Sequence, residues 1–188
     1  QSQRMEALVQ DLLLLSRLEN TEADNLQQAV PVHGMLQRMC ESALALAPDK
    51  NQTIEVDVPD DARLVANPAE LESAFGNLII NAVKYTPADG VIRIRWWQDT
   101  GGAHLSVQDN GIGIDPAHIP RLTERFYRPD NSRVTQTGGT GLGLAIVKHV
   151  MIRHNGRLEI TSELSKGSTF TCHFPADRLV SKPTAVAG

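Results

Sequence analysis

Residues 137–149 read TGGTGLGLAIVKH and combine a cluster of glycines with a stretch whose apolar residues recur at helical spacing. Glycine-rich loops at helix N-termini commonly hold phosphate, because free backbone N–H groups and the helix dipole face the anion. A Walker loop places its lysine directly after the last glycine, but Lys148 lies five residues beyond Gly143. A dinucleotide-binding fingerprint that began at Gly141 would need a small residue where Ile146 stands.

The segment before these glycines, RPDNSRVTQT, is polar and has no strand pattern, whereas both of those motifs follow a strand. We therefore interpret the glycines as the end of a mobile flap, about residues 114–138, that gains order when it closes on a polyphosphate. A flexible connection that binds nothing is the alternative.

Composition limits the classes of protein that remain. The chain has 188 residues, 41% of them apolar, and a net charge of -4, which suits one globular domain and gives no reason to expect nucleic acid as a partner. Two distant cysteines predict neither a disulfide framework nor a zinc site, and they fit a reducing, cytosolic setting. No apolar run approaches the roughly 20 residues that cross a bilayer. Because the chain starts with QSQRMEALVQ, already in a helical pattern, we interpret it as part of a longer protein.

The first helix carries Met5, Leu8, Leu12 and Leu15 at alternating spacings of three and four, as on the seam of a coiled coil or helix bundle. We assign residues 1–20 to this dimerisation-type helix, 21–30 to a polar linker, 31–178 to the main domain and 179–188 to a flexible tail. A helix that packs on its own domain is the alternative.

Beyond the linker, the pattern predicts strands separated by helices, mostly in hairpin order. This order favours an α+β fold, a sandwich with helices on one face of a mixed, mostly antiparallel sheet. The predicted helices are VHGMLQRMCESALALA, PAELESAFGNLIINAVKY and the one that the glycines open. The predicted strands are TIEVDV, RLVAN, GVIRIRWW, AHLSVQD, RLEITS and STFTCHF.

One predicted helix carries polar residues on an otherwise apolar background. Asn77 and Asn81 are four residues apart, and Lys84 and Tyr85 follow Asn81 by three and four, so all four project to one side. An amide oxygen there suits Mg²⁺, and an ammonium suits phosphate oxygens. Alternatively, the amides bond to neighbouring backbone, since an unpaired buried amide costs about 1–3 kcal/mol.

The stretch HLSVQDNGIGI supplies a third group. Strand alternation puts Leu105, Val107 and Asp109 on one face, so the carboxylate points where the apolar side chains point and needs a hydrogen-bond donor. An adenine amino group is such a donor, and Gly111 and Gly113 let a flat base approach the backbone. By itself, DxGxG also describes a tight turn.

Five motifs occur in a fixed order: NLIINAVKYT, DNGIGI, ERFYR, TGGTGLGLAIVK and SKGSTF. In this order the chain resembles, over about residues 31–175, the ATP-binding domain of sensor histidine kinases, within the GHKL group that includes gyrase, mismatch-repair ATPases and a heat-shock chaperone. MEALVQDLLLLSRLE is similar to the second helix of their dimerisation domain, and LTERFYR with QTGGTGLGLAIVKH looks most like the phosphate-regulon branch. The resemblance implies the Bergerat ATP-binding fold.

The resemblance also implies roles for residues. Asn81 would ligate Mg²⁺, Asn77 would lie beside it near the phosphates, Asp109 would accept the adenine amino group and Arg128 would reach the γ-phosphate. Phe126 would pack the flap, with a plain core aromatic as the alternative. The implied catalytic set is Asn77, Asn81, Lys84 and Arg128. The implied nucleotide-binding set adds Tyr85, Asp109, Gly111, Gly113, Ile114, Gly139, Thr140, Gly141, Leu142 and Gly143.

The implied activity is transfer of the γ-phosphate of Mg·ATP to a histidine. None of the six histidines is followed by an acidic residue, as the family's acceptor is, so we expect strand, turn and helix-surface roles for them and an acceptor on a helix before Gln1. Implied partners are the dimerisation domain, a response regulator and, in a homodimeric parent anchored in the bacterial inner membrane, a second copy. A related ATPase or serine kinase, or a nucleotide-binding module without transfer, stays open, although gyrase-type relatives carry a glutamate where Asn77 stands.

Overall fold

The computed structural model describes residues 2–20, 26–129 and 139–180. Its α-helices are α1 (Ser2–Glu19), α2 (Val32–Ala45), α3 (Pro68–Tyr85) and α4 (Gly143–Arg153). The strands are β1 (Gln28–Pro31), β2 (Thr53–Asp57), β3 (Arg63–Ala66), β4 (Val91–Asp99), β5 (Gly102–Asp109), β6 (Arg157–Glu163) and β7 (Gly167–Pro175). Short 3-10 helices lie at Pro48–Lys50, Pro116–Arg121 and Ala176–Arg178.

Five strands form the main sheet in the order β2-β4-β5-β7-β6. Strands β2 and β4 are parallel, because the chain crosses over through β3 and α3 between them, and the other neighbours are antiparallel. Strands β1 and β3 form a separate antiparallel pair. The predicted α+β class, with a mixed and mostly antiparallel sheet, is confirmed.

The core lies between one face of this sheet and the helices. Along β5, Ala103, Leu105 and Val107 are fully buried, whereas Gln108 on the opposite face is exposed, as strand alternation requires. Helix α3 packs over this face of the sheet through a stripe of buried apolar residues at helical spacing. Its members are Leu71, Ala74, Phe75, Leu78, Ile79, Ala82 and Val83.

Helix α3 begins where the sequence predicts. Asn67 is its N-cap and accepts a hydrogen bond from the Glu70 N–H at 3.2 Å, and Pro68 occupies the first helical position. These two features set the start of the helix, and so the angular position of the polar residues near its end.

Helix α1 packs against α4. Leu15 and Leu18 are buried there, while Met5 and Leu12 on the predicted seam remain exposed at 69% and 37%. The predicted seam is therefore divided: Leu8 and Leu15 pack on the domain, as the alternative proposed, while Met5 and Leu12 face solvent in the described structure.

Several boundaries and roles differ from expectation. The assignment of residues 28–30 to the linker is wrong, because these residues belong to β1 and pair with β3. Leu179, assigned to the tail, forms a bridge with Leu64. Residues 21–25, 130–138 and 181–188 of the predicted linker, flap and tail lie outside the described residues. No described helix has the length and apolar character needed to cross a membrane.

One histidine differs from the predicted strand, turn and helix-surface roles, while His104 lies on a strand as expected. His154 is buried at the end of α4, where its Nδ1 donates to the Val150 carbonyl at 2.7 Å and its Nε2 accepts from the Asn67 N–H at 3.2 Å. His104, on β5, is also buried and lies against His173 on the face of the sheet away from the helices.

Candidate functional site

Asp109 ends β5 as a buried carboxylate with only part of its hydrogen-bonding capacity used. Its Oδ1 accepts from the Gly111 N–H at 2.9 Å and from the Ser168 N–H at 3.3 Å, and the residue is 5% exposed. Burial raises the pKa of the carboxyl, and the two N–H groups partly oppose this shift. Within the described residues nothing donates to Oδ2, which leaves this acceptor available to a ligand.

The glycines after Asp109 lie against other backbone. A Cβ on Gly111 would come within 2.3 Å of the Tyr85 carbonyl oxygen. Gly113 has a φ of +71°, and a Cβ there would come within 2.0 Å of the Glu163 carbonyl oxygen. The Ile114 N–H donates to Ser162 Oγ at 2.7 Å. Side chains are thus excluded where this loop fits between the end of α3 and the β6–β7 turn.

The polar residues of α3 lie on one side, all of them half-buried, as predicted. Asn77 Nδ2 donates to the Ser73 carbonyl at 2.8 Å, so half of this amide bonds to its own helix, in line with the structural alternative. Its Oδ1 lies 2.7 Å from the position that a Cβ on Gly143 would take. The Asn81 amide makes no hydrogen bond to any described residue, and it is free to bind a ligand.

Positive charge collects at the end of α3. Burial lowers the pKa of Lys84, the nearby charge of Arg128 lowers it further, and the carboxylate of Asp11 opposes both. A Cβ on Gly139 would lie 3.5 Å from Lys84 Nζ. The structure therefore brings Lys84, Arg128 and the glycine loop together, although they are far apart in the sequence.

The glycine loop leads directly into α4, as predicted. Gly141 has a φ of +77°, and its carbonyl accepts from the Phe126 N–H at 2.9 Å. The N-cap residue of α4, Leu142, provides no side-chain cap, so the N–H groups of the first turn remain available to an anion. Thr140 Oγ1 accepts from the Leu142 N–H at 3.2 Å.

Phe126 is not a core residue. Its side chain is 56% exposed and its φ is +63°, an unusual value for a residue with a Cβ. The core alternative is therefore wrong. Its backbone bond to Gly141 ties the described, N-terminal part of the predicted flap to the glycine loop.

Three contributors to this site were missed at the sequence level. Lys50 Nζ donates to the carbonyls of Val83, Lys84 and Thr86 at 2.9, 3.0 and 3.1 Å, which closes the C-terminal end of α3. Ser168 supplies an N–H to Asp109. Asp11, on α1, accepts from Thr140 Oγ1 at 2.8 Å.

The residues suit a magnesium ion held mainly by phosphates and water. Among the described residues, no group of three or more His, Cys, Asp or Glu side chains could hold a metal ion. Mg²⁺ bound with a nucleotide needs only one or two protein oxygens, and the unbonded Asn81 amide offers one.

Comparisons with known proteins identify the family of the chain. Residues 66–178 match the family model described as histidine kinase-, DNA gyrase B- and HSP90-like ATPase. The chain is 59% identical over 174 residues to the phosphate regulon sensor protein PhoR of Pseudomonas aeruginosa. The matched region covers 93% of this chain and 39% of that protein.

Solved structures have the same fold. The mycobacterial sensor histidine kinase MprB superposes with a TM-score of 0.70 at 29% identity, covering 81% of this chain and 100% of that one. Full-length ShkA in complex with AMPPNP superposes with a TM-score of 0.78 at 27% identity, covering 94% of this chain and 36% of that one. The chain spans about two fifths of the length of the curated relatives it matches.

Proposed function

Because the chain belongs to the family of histidine kinase-, DNA gyrase B- and HSP90-like ATPases, we propose that it is the ATP-binding catalytic part of a sensor histidine kinase. It binds Mg·ATP and presents the γ-phosphate to a histidine on a dimerisation helix. The histidine then passes the phosphate to an aspartate of a response regulator. The similarity to PhoR supports membership of the phosphate-regulon branch.

The observation that carries the proposal is the free oxygen of Asp109. Its partner oxygen is held by two backbone N–H groups, which fixes the carboxylate in place. The free oxygen then accepts the adenine amino group, and Gly111 and Gly113 give the base access to the backbone. Guanine carries a carbonyl at the corresponding position, so two acceptors would face each other and adenine is preferred.

The phosphates extend from this pocket toward the glycine loop. Lys84 and Arg128 offset their charge, and the loop of Gly139, Gly141 and Gly143 with the N-terminus of α4 donates N–H groups. Ile114, Thr140 and Leu142 complete the backbone around the nucleotide, and Tyr85 lines the ribose side. Asn81 contributes its amide oxygen to Mg²⁺, which neutralises phosphate charge when bound.

Transfer relies on positioning rather than on a protein base. Asn77 stands where a water-activating glutamate would be needed for hydrolysis, and its Nδ2 is bonded to Ser73. An amide cannot take a proton from water at neutral pH, so the site favours transfer to an incoming nucleophile. This supports a kinase over a dedicated ATPase.

The partners follow from the same proposal. The exposed Met5 and Leu12 of α1 leave an apolar strip for a second dimerisation helix. The whole protein acts as a homodimer anchored in the bacterial inner membrane, with this part on the cytoplasmic side. Residues 1–20 belong to the dimerisation helix, 28–179 to the catalytic domain, and no nucleic acid is involved.

The test uses radiolabelled ATP and Mg²⁺ with the chain alone, and then with a separate domain that carries the acceptor helix pair. We expect little label on the chain alone, and slow transfer to the added domain, because a separated acceptor lacks the effective concentration that a linker provides. The product should be labile in acid and stable in base, as phosphohistidine is.

Two results would contradict the proposal. Acid-stable label on the chain alone would favour a serine kinase. ATP binding with no transfer to any acceptor domain, including that of its own parent, would favour a nucleotide-binding module.

A further inference from the structure

Helix α1 brings a carboxylate to the glycine loop. Asp11 Oδ2 accepts from Thr140 Oγ1 at 2.8 Å, although the two residues are 129 positions apart in the chain. Thr140 lies between Gly139 and Gly141, the glycines that we assign to the phosphates. A negative charge therefore stands at the phosphate end of the proposed nucleotide site.

The position of this carboxylate is set by packing along the rest of α1. Leu15 and Leu18, one and two turns beyond Asp11, are buried against the domain at 0% and 5% exposure. At the end of the helix, Glu19 forms an ion pair with Arg125. Asp11 therefore lies at one end of the face of α1 that packs on the domain, and it is not a freely moving surface group.

Asp11 also acts on the cation of the site. Its charge favours the protonated form of Lys84 and so raises the pKa of that amine, against the lowering by burial and by Arg128. Without nucleotide, the carboxylate partly neutralises the positive charge of Lys84. Phosphate groups would neutralise the same positive charge. The Asp11 carboxylate and the phosphates of a nucleotide therefore compete for it.

We propose that Asp11 is a selectivity-determining residue of the nucleotide site, whose negative charge weakens binding more strongly as the ligand carries more phosphate. This inference rests on the proposed function, since it concerns the same site. By reciprocity, ATP also weakens the docking of α1 on the glycine loop, because each anion disfavours the other by the same free energy.

Asp11→Asn tests the charge alone, since the amide keeps a carbonyl oxygen that can accept from Thr140. Wild type and variant are titrated calorimetrically with ATP, ADP and adenosine in Mg²⁺ at low ionic strength. We expect the variant to bind ATP about three- to tenfold more tightly and adenosine within about twofold, with ADP between them. Glu6→Gln, the same charge change at an exposed position of α1, should leave all three affinities unchanged.

The ATP difference should shrink as salt rises, because screening weakens the repulsion. Unchanged or weaker ATP binding by Asp11→Asn would overturn the inference, as would an equal gain for ATP and adenosine, which would indicate an altered loop and not a charge effect. If neither protein binds any adenine nucleotide, the proposed function fails and the inference with it. If the wild type and Asp11→Asn bind ATP equally, the inference is overturned but the proposed function stands.

Discussion

Asp109 shows how a single buried charge can indicate a ligand. A carboxylate at 5% exposure loses its hydration, and two backbone N–H groups replace that hydration at only one of its oxygens. The other oxygen has no donor among the described residues and can accept from a donor that arrives with a ligand. The raised pKa of this carboxyl reflects the same incomplete compensation.

Asp109→Asn should weaken ATP binding by about 1–3 kcal/mol, or roughly five- to 150-fold, because an amide NH₂ would face the Gly111 N–H or the adenine amino group. Calorimetric titration with ATP and GTP measures the effect. Wild type should prefer ATP, and the variant should lose most of this preference. Equal affinities of the wild type for the two nucleotides would contradict the assigned role.

His154 makes stability depend on pH. Burial lowers the pKa of His154, with smaller opposing effects from the Val150 carbonyl and Glu70. Its Nε2 accepts from the Asn67 N–H, so protonation there would break a bond to the N-cap of α3. The unfolded chain binds this proton at a higher pH than the folded one, so stability is lost as pH falls below the ordinary histidine pKa.

Urea unfolding between pH 7.5 and 5.5 should therefore show a falling free energy of unfolding, by up to about 1.4 kcal/mol per pH unit for this proton. His154→Gln should make the slope shallower. An unchanged slope in His154→Gln would show that the ring is not held neutral.

At the scale of an element, α3 contributes apolar residues to the core and polar residues to the proposed site. One face buries apolar residues from Leu71 to Val83, and the other presents Asn77, Asn81 and Lys84. Its last carbonyls have partners outside the helix: Lys50 at Val83 and Lys84, and the Ile112 N–H at Tyr85. The end of α3 is thereby joined to the loop that follows Asp109.

Lys50→Met should lower the free energy of unfolding by about 1–3 kcal/mol, because the Lys84 carbonyl loses its Lys50 donor at a half-buried position. ATP affinity should fall as well, since Lys84 and Tyr85 sit on the released helix end. Lys166→Met provides the control, because its side chain is 70% exposed on the β6–β7 turn and should change little. Urea unfolding and ATP titration of both variants measure these effects. Equal losses of stability and ATP affinity in the two variants would mean that Lys50 has no special role.

At the scale of the whole molecule, α1 is joined to the domain by more than chain connectivity. Leu15 and Leu18 pack against the domain, Glu19 pairs with Arg125, and Asp11 contacts Thr140. The helix therefore touches the described part of the predicted flap, the glycine loop and α4. A change at the proposed nucleotide site can therefore reach α1 directly.

Leu15→Ala should destabilise the protein by about 2–5 kcal/mol, since the side chain is 0% exposed and its removal leaves a cavity. Leu12→Ala should cost much less, because Leu12 is 37% exposed. Urea unfolding of both variants separates them. A small, equal effect would show that α1 does not pack on the domain in solution.

Much of the fold follows from the sequence alone. The helix predicted for PAELESAFGNLIINAVKY spans Pro68–Tyr85, and the strand pattern correctly turned Asp109 toward the core. These features are local. A period of 3.6 or 2 residues, a proline at a helix start and glycines in a loop can each be recognised from residues close together in the sequence. The order of the motifs likewise indicated the nucleotide-binding family without any contact being known.

The contacts that complete the site were decided only by the tertiary structure. Lys50 reaches α3 from a turn more than 30 residues earlier, and Asp11 reaches Thr140 across 129 residues. No periodic pattern marks such residues, because their partners depend on strand order and on which helix faces meet. For the same reason, the burial of Leu15 and the exposure of Phe126 could not be predicted: an apolar side chain is equally suited to a seam, a core or a flap, and packing selects among them.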